Sequence, residues 1–399
     1  MGTVKAKYLV GPAECNDCHS AHIYSTDFIN AVSNVLGETI EWGEIEDVQK
    51  QSLSLFFIAS GGSEQSFLKI FRDFKEPYIL MTTPGYNSLA ASMEIMGYLE
   101  ENGYKGEILH GTPEAVAKRL AELKRIADAK VKLSKMRLGC IGEPGGLIAS
   151  DADGDKLREK TGMSLVPVDI NELISEYGKG GYPENKYTEE LKKKGYKPEE
   201  TEKALAVYGA LKRLIEKYSL DAVTVRCFDL LDAIHTTGCL GLAILNAEGI
   251  PAACEGDKKS MISMCVLNAL TGGSSFMANP SCMDPEKNEI IFAHCTLPID
   301  MPDSYSLTTH FESGIGVAVT CDIAPQPMTV FKCDDKLERH YAGRAQLIET
   351  MHRDNLCRTQ MKLKLEDGTK YFASAPISNH HMICKGDYKE LIDEFFNSL

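Results

Sequence analysis

The chain contains no apolar run approaching the roughly 18 residues that would span a bilayer. Its opening, Met1 to Gly11, lacks a basic stretch followed by an apolar core and a small-residue cleavage site, so a cytoplasmic protein is expected. Positive charge is in deficit: 43 basic residues face 57 acidic ones, for a net charge of -14. That balance opposes nucleic-acid phosphate and anionic membrane as partners and favours a small neutral or metal-bound ligand. Neither a G-x-G-x-x-G fingerprint nor a Walker A loop occurs, which disfavours an NAD-linked oxidoreductase and a P-loop nucleotide enzyme. There is no fixed-period repeat and no low-complexity tract. A disulfide framework is also missing: the 13 cysteines are odd in number, and Cys140, Cys227, Cys254, Cys265 and Cys321 sit inside apolar runs, as reduced buried thiols do.

What is present is enough chain for two or three domains, at 399 residues. Residues 1–135 alternate apolar extended segments with helical ones (Lys7–Val10, Ser25–Leu36, Leu53–Ser60, Tyr78–Thr82, Leu89–Asn102), which predicts βαβ units and a parallel α/β domain. A charged helix, Pro113 to Lys135, leads into a second α/β (Rossmann-like) domain, residues 136–288, with strands at Met136–Ile141, Ser164–Asp169 and Ala222–Cys227. From Glu289 onward closely spaced strands predict a mainly antiparallel β-rich C-terminal domain, residues 289–399, ending in an amphipathic helix at Tyr388–Leu399. The expected strands are Ile290–Leu297, Ser306–Phe311, Gly316–Asp322, Thr329–Lys332, Thr359–Leu365, Tyr371–Ala373 and His381–Cys384.

Cys15-Asn16-Asp17-Cys18-His19 matches the C-x-x-C-H pattern of haem attachment, but without an export route the plainer reading is a loop with incidental thiols. A zinc site there would need two further ligands, and His22 offers one. Three glycine turns follow strands, at Ser60-Gly61-Gly62-Ser63, Pro84 to Ser88 and Gly142 to Gly146, and together they suggest a ligand crevice. The densest group of candidates lies between Asp221 and Cys295. One buried strand ends in Phe228-Asp229, a second in Glu255-Gly256-Asp257, and the intervening His235–Asn246 reads as a helix, so both carboxylates can sit at one sheet edge. Asp257 also suits a helix N-cap, because Lys258–Leu270 has helical apolar spacing. By pattern alone, Asp229 and Glu255 are as readily solvated strand-end acids. Imidazoles occur at His294, His310 and the pair His380-His381, and adjacent strand residues face opposite ways, so one of that pair at most reaches a given site.

These motifs, Cys227-Phe228-Asp229-Leu230, Cys254 to Lys258, Gly272 to Met277, Ala293-His294-Cys295 and Asn379-His380-His381, resemble in their order and intervals the L-fucose/L-arabinose isomerase family. The likeness covers the second half of the chain; residues 1–135 share only the alternation of strands and helices. It implies two α/β domains followed by a β-rich domain, and interconversion of an aldose and a ketose with a divalent metal, commonly Mn²⁺. It further implies Glu255 and Asp229 as acidic metal ligands and catalytic groups, with the imidazole supplied by His380 or His381. Asp229 stands where a glutamate is usual. Gly61, Gly62, Asn279 and His294 are candidates to hold sugar hydroxyls, and a homotrimer or homohexamer is the expected assembly. A non-catalytic sugar-binding or regulatory protein, and a metal-dependent epimerase or lyase sharing the ene-diolate step, stay open as alternatives.

Overall fold

The computed structural model describes residues 2–11 and 18–399. The side chains of Cys15, Cys18 and His19 lie outside that description, and so does the reading of their motif. The chain forms two compact units, Met1–Val131 and Lys132–Leu399.

The first unit is a five-stranded parallel sheet in the order β2-β1-β3-β4-β5, with β1 Thr3–Leu9, β2 Thr39–Trp42, β3 Ser54–Ile58, β4 Tyr78–Thr82 and β5 Gly106–Leu109. Both faces are covered, which is why β3 and β4 are apolar almost throughout rather than alternating. The carboxyl edge carries the glycine turns: the Gly61 N–H donates to the Tyr86 carbonyl at 2.8 Å, and Tyr86 and Asn87 both hold positive φ.

In the second unit a four-stranded parallel sheet, order β7-β6-β8-β9, is built from β6 Arg137–Ile141, β7 Ser164–Val168, β8 Ala222–Val225 and β9 Ala252–Cys254. Val225 lies in register with Cys254, so the chain leaves β8 toward Asp229 and β9 toward Glu255 at the same sheet edge. The segment between them is two helices, Phe228–Ile234 and Cys239–Ala247, rather than the single helix expected over His235–Asn246. His235, at φ 51°, ends the first of them, and Asp229 thereby falls in a helical first turn instead of on a strand end.

The remaining strands are antiparallel. Six of them, β10 Phe276–Asp284, β11 Glu289–His294, β14 Pro327–Cys333, β15 His340–Met351, β16 Thr359–Leu365 and β17 His381–Lys385, close into a barrel, while β12 Ser304–Thr308 pairs with β13 Ala318–Asp322. Strands β10 and β15 escape sequence patterning because Pro280 and a register shift interrupt one, while polar Arg344, Gln346 and Glu349 run through the other. The short run Tyr371–Ala373, expected as a strand, lies in the helix Lys370–Ser374; an apolar run of that length does not distinguish the two states. All eleven cysteines whose side chains are described are free thiols, nine of them buried. No helix is long and apolar enough to cross a membrane among the described residues.

Candidate metal centre

Strand β9 ends in a sharp turn. Glu255 takes φ 62° and Gly256 φ 68°, and the Gly256 and Asp257 N–H groups donate to the Val225 and Cys254 carbonyls at 3.0 and 3.1 Å. A left-handed conformation costs a non-glycine residue about 1–2 kcal/mol, so Glu255 is held there by its surroundings. The turn leaves the helix Lys258–Thr271 to start at once, with Asp257 as its N-cap accepting from the Ser260 N–H at 2.8 Å. The capping role read from the sequence is present, and a second role accompanies it.

That second role begins with His380. Its Nδ1 lies 2.9 Å from Asp257 Oδ2, and both residues are fully buried. A carboxylate only accepts, so Nδ1 carries the proton and Nε2 is turned the other way, 3.6 Å from Glu255 Oε1. His294, at the end of β11, presents its own Nε2 to the same oxygen at 3.3 Å, while its Nδ1 is engaged by the Thr296 hydroxyl at 2.9 Å. Among the described residues, Glu255, His294 and His380 form the group of side chains that could hold a metal ion, with ligand atoms all within 4.8 Å of one another.

The electrostatics agree with the geometry. Burial pushes the Glu255 carboxyl up, but the hydrogen bonds from His294 and His380 outweigh it and hold the acid well below the usual carboxylate range. Burial alone would push the His380 imidazole down; Asp257 and Glu255, one on each side, raise it instead. A partly buried carboxylate facing two buried imidazoles is a donor set that first-row divalent ions accept, and donors 3.3 and 3.6 Å apart suit bonds of about 2.1 Å to one shared ion. Each imidazole is also oriented from behind by an oxygen, the arrangement that fixes tautomer and ring direction at metal sites.

His381 points the opposite way, as strand alternation requires. Its Nδ1 sits 2.9 Å from the Asn379 carbonyl and its Nε2 3.0 Å from the Tyr371 hydroxyl, among the rings of Phe292, Tyr341 and Phe372. Burial there pushes its imidazole down to about 3. Asn279 borders the centre: its side-chain oxygen accepts from Asn379 Nδ2 at 3.0 Å, and that amide lies 3.5 Å from His380 Nε2. Asp229 is outside the three-residue group. Its carboxylate pairs with Arg226 Nε at 3.1 Å and lines a cavity of about 320 Å³ with Gly142, Glu143, Asp169 and Arg226. Gly61 and Gly62 belong to the first unit. Sequence reasoning placed His294 among sugar contacts and left Asp257 as a cap. What would have signalled the difference is the strand register that brings β11 and β17 to the end of β9, and spacing does not carry it.

No protein-family model matches the chain. It is similar to proteins named sulfoquinovose isomerase from Priestia aryabhattai and Priestia megaterium, each 25% identical over 344 residues, covering 78% of this chain and 74% of the relative. It is similar also to a sulfoquinovose isomerase from Alkalicoccus urumqiensis, 26% identical over 221 residues, covering 52% of this chain and 49% of the relative.

Proposed function

We propose that this chain is an enzyme, a metal-dependent aldose–ketose isomerase acting on a sugar. The observation that carries the reading is the partly buried Glu255 carboxylate met by two imidazole Nε2 atoms, each turned toward it by a partner behind the ring. Similarity to proteins named as isomerases of a sulfonated hexose supports the reaction class and puts sulfoquinovose first among substrates to try. Glu255, His294 and His380 would hold the cation. We take Mn²⁺ as the ion, following the resemblance to the L-fucose/L-arabinose isomerases. When bound, a divalent ion supplies Lewis-acid stabilisation to negative charge developing on neighbouring sugar oxygens.

The chain's own groups divide the remaining work. Isomerisation moves a proton between C1 and C2 through an ene-diolate, so a general base must take the proton and return it. Glu255 is committed to the imidazoles. Asp229 leaves the neighbouring strand, is only partly buried, and lines the cavity at the same sheet edge. We assign Asp229 as the proton-transfer base, with Arg226 aiming its carboxylate, and Asn279 as a hydrogen-bonding group for sugar hydroxyls.

The test separates the two acids. An aldose panel headed by sulfoquinovose is assayed for ketose with Mn²⁺ and with chelator, beside equilibrium Mn²⁺ binding. Glu255→Gln is expected to lose both metal binding and turnover. Asp229→Asn is expected to bind Mn²⁺ within about twofold of wild type while kcat falls by roughly 10²-fold or more, the scale of a lost general base. Full activity in chelator would overturn the metal reading.

A further inference from the structure

Behind His380 lies a chain of three polar residues, Asp257, Ser260 and Lys332, each fully buried, and the last two have no part in the proposed reaction. Lys332, in strand β14 of the barrel, donates from Nζ to Ser260 Oγ at 2.9 Å. Ser260 Oγ donates in turn to Asp257 Oδ2 at 2.7 Å, and the same oxygen accepts from His380 Nδ1 at 2.9 Å. Lys332 Nζ is itself 3.8 Å from Asp257 Oδ2.

A buried ammonium is expensive unless a carboxylate answers it, and a buried carboxylate needs its lone pairs filled. Here each need meets the other. Lys332 holds the Ser260 hydroxyl from one side, and Ser260, with one hydroxyl and one N–H on the same carboxylate, fixes the plane in which Asp257 faces the imidazole. Asp257 engages His380 at Nδ1, and the opposite ring nitrogen, Nε2, is thereby directed at Glu255.

We infer that Lys332 is a positioning residue for the metal centre: acting through Ser260 and Asp257, it fixes the direction of His380 and so tunes how tightly a divalent cation is held. The inference rests on the reading that His380 is a metal ligand. Outer partners of ligating histidines typically govern affinity by about 10- to 100-fold, which sets the expected scale.

Mn²⁺ binding to the purified full chain, followed by the loss of the free-ion electron paramagnetic resonance signal, tests this without turnover. Lys332→Met, Ser260→Ala and Asp257→Asn are compared with wild type, together with the Lys332→Met/Asp257→Asn double variant, and circular dichroism melts report folding. Asp257→Asn and Lys332→Met are each expected to weaken Mn²⁺ binding by about tenfold or more. The double variant is expected to bind no more weakly than Asp257→Asn alone, because the lysine acts through the aspartate. Losses that simply multiply in the double variant would overturn the relay. Unchanged affinity in folded Lys332→Met would overturn it as well. Removing one partner of a buried pair can unfold a protein; if Lys332→Met does not fold, Ser260→Ala decides, with weaker binding supporting the relay and wild-type binding overturning it. Wild-type protein that takes up no Mn²⁺ would instead remove the metal reading itself, an outcome distinct from failure of the relay.

Discussion

Two parallel sheets in this chain end in glycine turns at their carboxyl edges, yet the two edges carry different chemistry. In the first unit, a cavity of about 440 Å³ is lined by residues 83–90 with Met93 and His110, and none of them is an acid, a lysine or an arginine. Its polar groups answer each other: Thr82 Oγ1 lies 2.7 Å from His110 Nδ1, and the Thr83 N–H donates to Ser88 Oγ at 3.1 Å. In the second unit the edge holds Glu143, Asp169, Arg226 and Asp229 around its cavity, with Glu255 at the end of the next strand. Strand ends in a parallel sheet supply a crevice in either case. The difference comes from the antiparallel barrel, where His294 at the end of β11 and His380 just before β17 bring two imidazoles to a carboxylate that the sheet alone would leave solvated.

The comparison is broken most directly through its two histidines. His380→Ala removes a proposed ligand, and Mn²⁺ affinity is expected to fall by about 100-fold or more, beyond the usual effect of a supporting partner. His110→Ala, at the other sheet edge, is expected to leave Mn²⁺ affinity within about twofold. Equal losses in the two variants, read by equilibrium metal titration, would mean that the imidazoles gathered at Glu255 are not what holds the ion.

How far this site could be read from sequence follows from the same contrast. The alternation of strand and helix made both parallel sheets legible, since period and length are local properties. Glu255 was legible as the end of a buried strand, and Asp257 as a cap, because both depend on neighbours within a few residues. The partnership of Asp257 with His380, 123 residues away, depends on barrel closure, and so does the choice of His380 over His381. Lys332 was hidden more deeply: a lysine within an apolar strand reads as an exposed side chain until the strand is enclosed on both faces.

A smaller effect is expected at the turn itself. Gly256 lies at φ 68°, and a Cβ added there would come within 3.0 Å of the Glu143 carbonyl and 3.1 Å of Pro144 Cα, both of them backbone. Gly256→Ala is therefore expected to cost about 2 kcal/mol in urea unfolding, the left-handed backbone and the crowding together. Because the turn also holds Glu255, Mn²⁺ affinity should fall with it. A variant of wild-type stability would show that the turn is not held against Glu143 and Pro144.

The smallest effect sharpens the contrast from the other side. Gly62 also has a positive φ, 83°, at the carboxyl edge of the first sheet, so alanine there meets the same intrinsic backbone cost of about 1 kcal/mol. If the two edges differ as described, Gly62→Ala should lower unfolding stability by that amount and leave Mn²⁺ affinity untouched, because all three proposed ligands belong to the other unit. The informative quantity is then KM for the best sugar in the panel. A KM raised at constant kcat and constant metal affinity would assign the Gly61–Gly62 turn to sugar binding, since losing a contact made equally in the ground and transition states changes KM alone. An unchanged KM would leave the first edge without a part in the reaction.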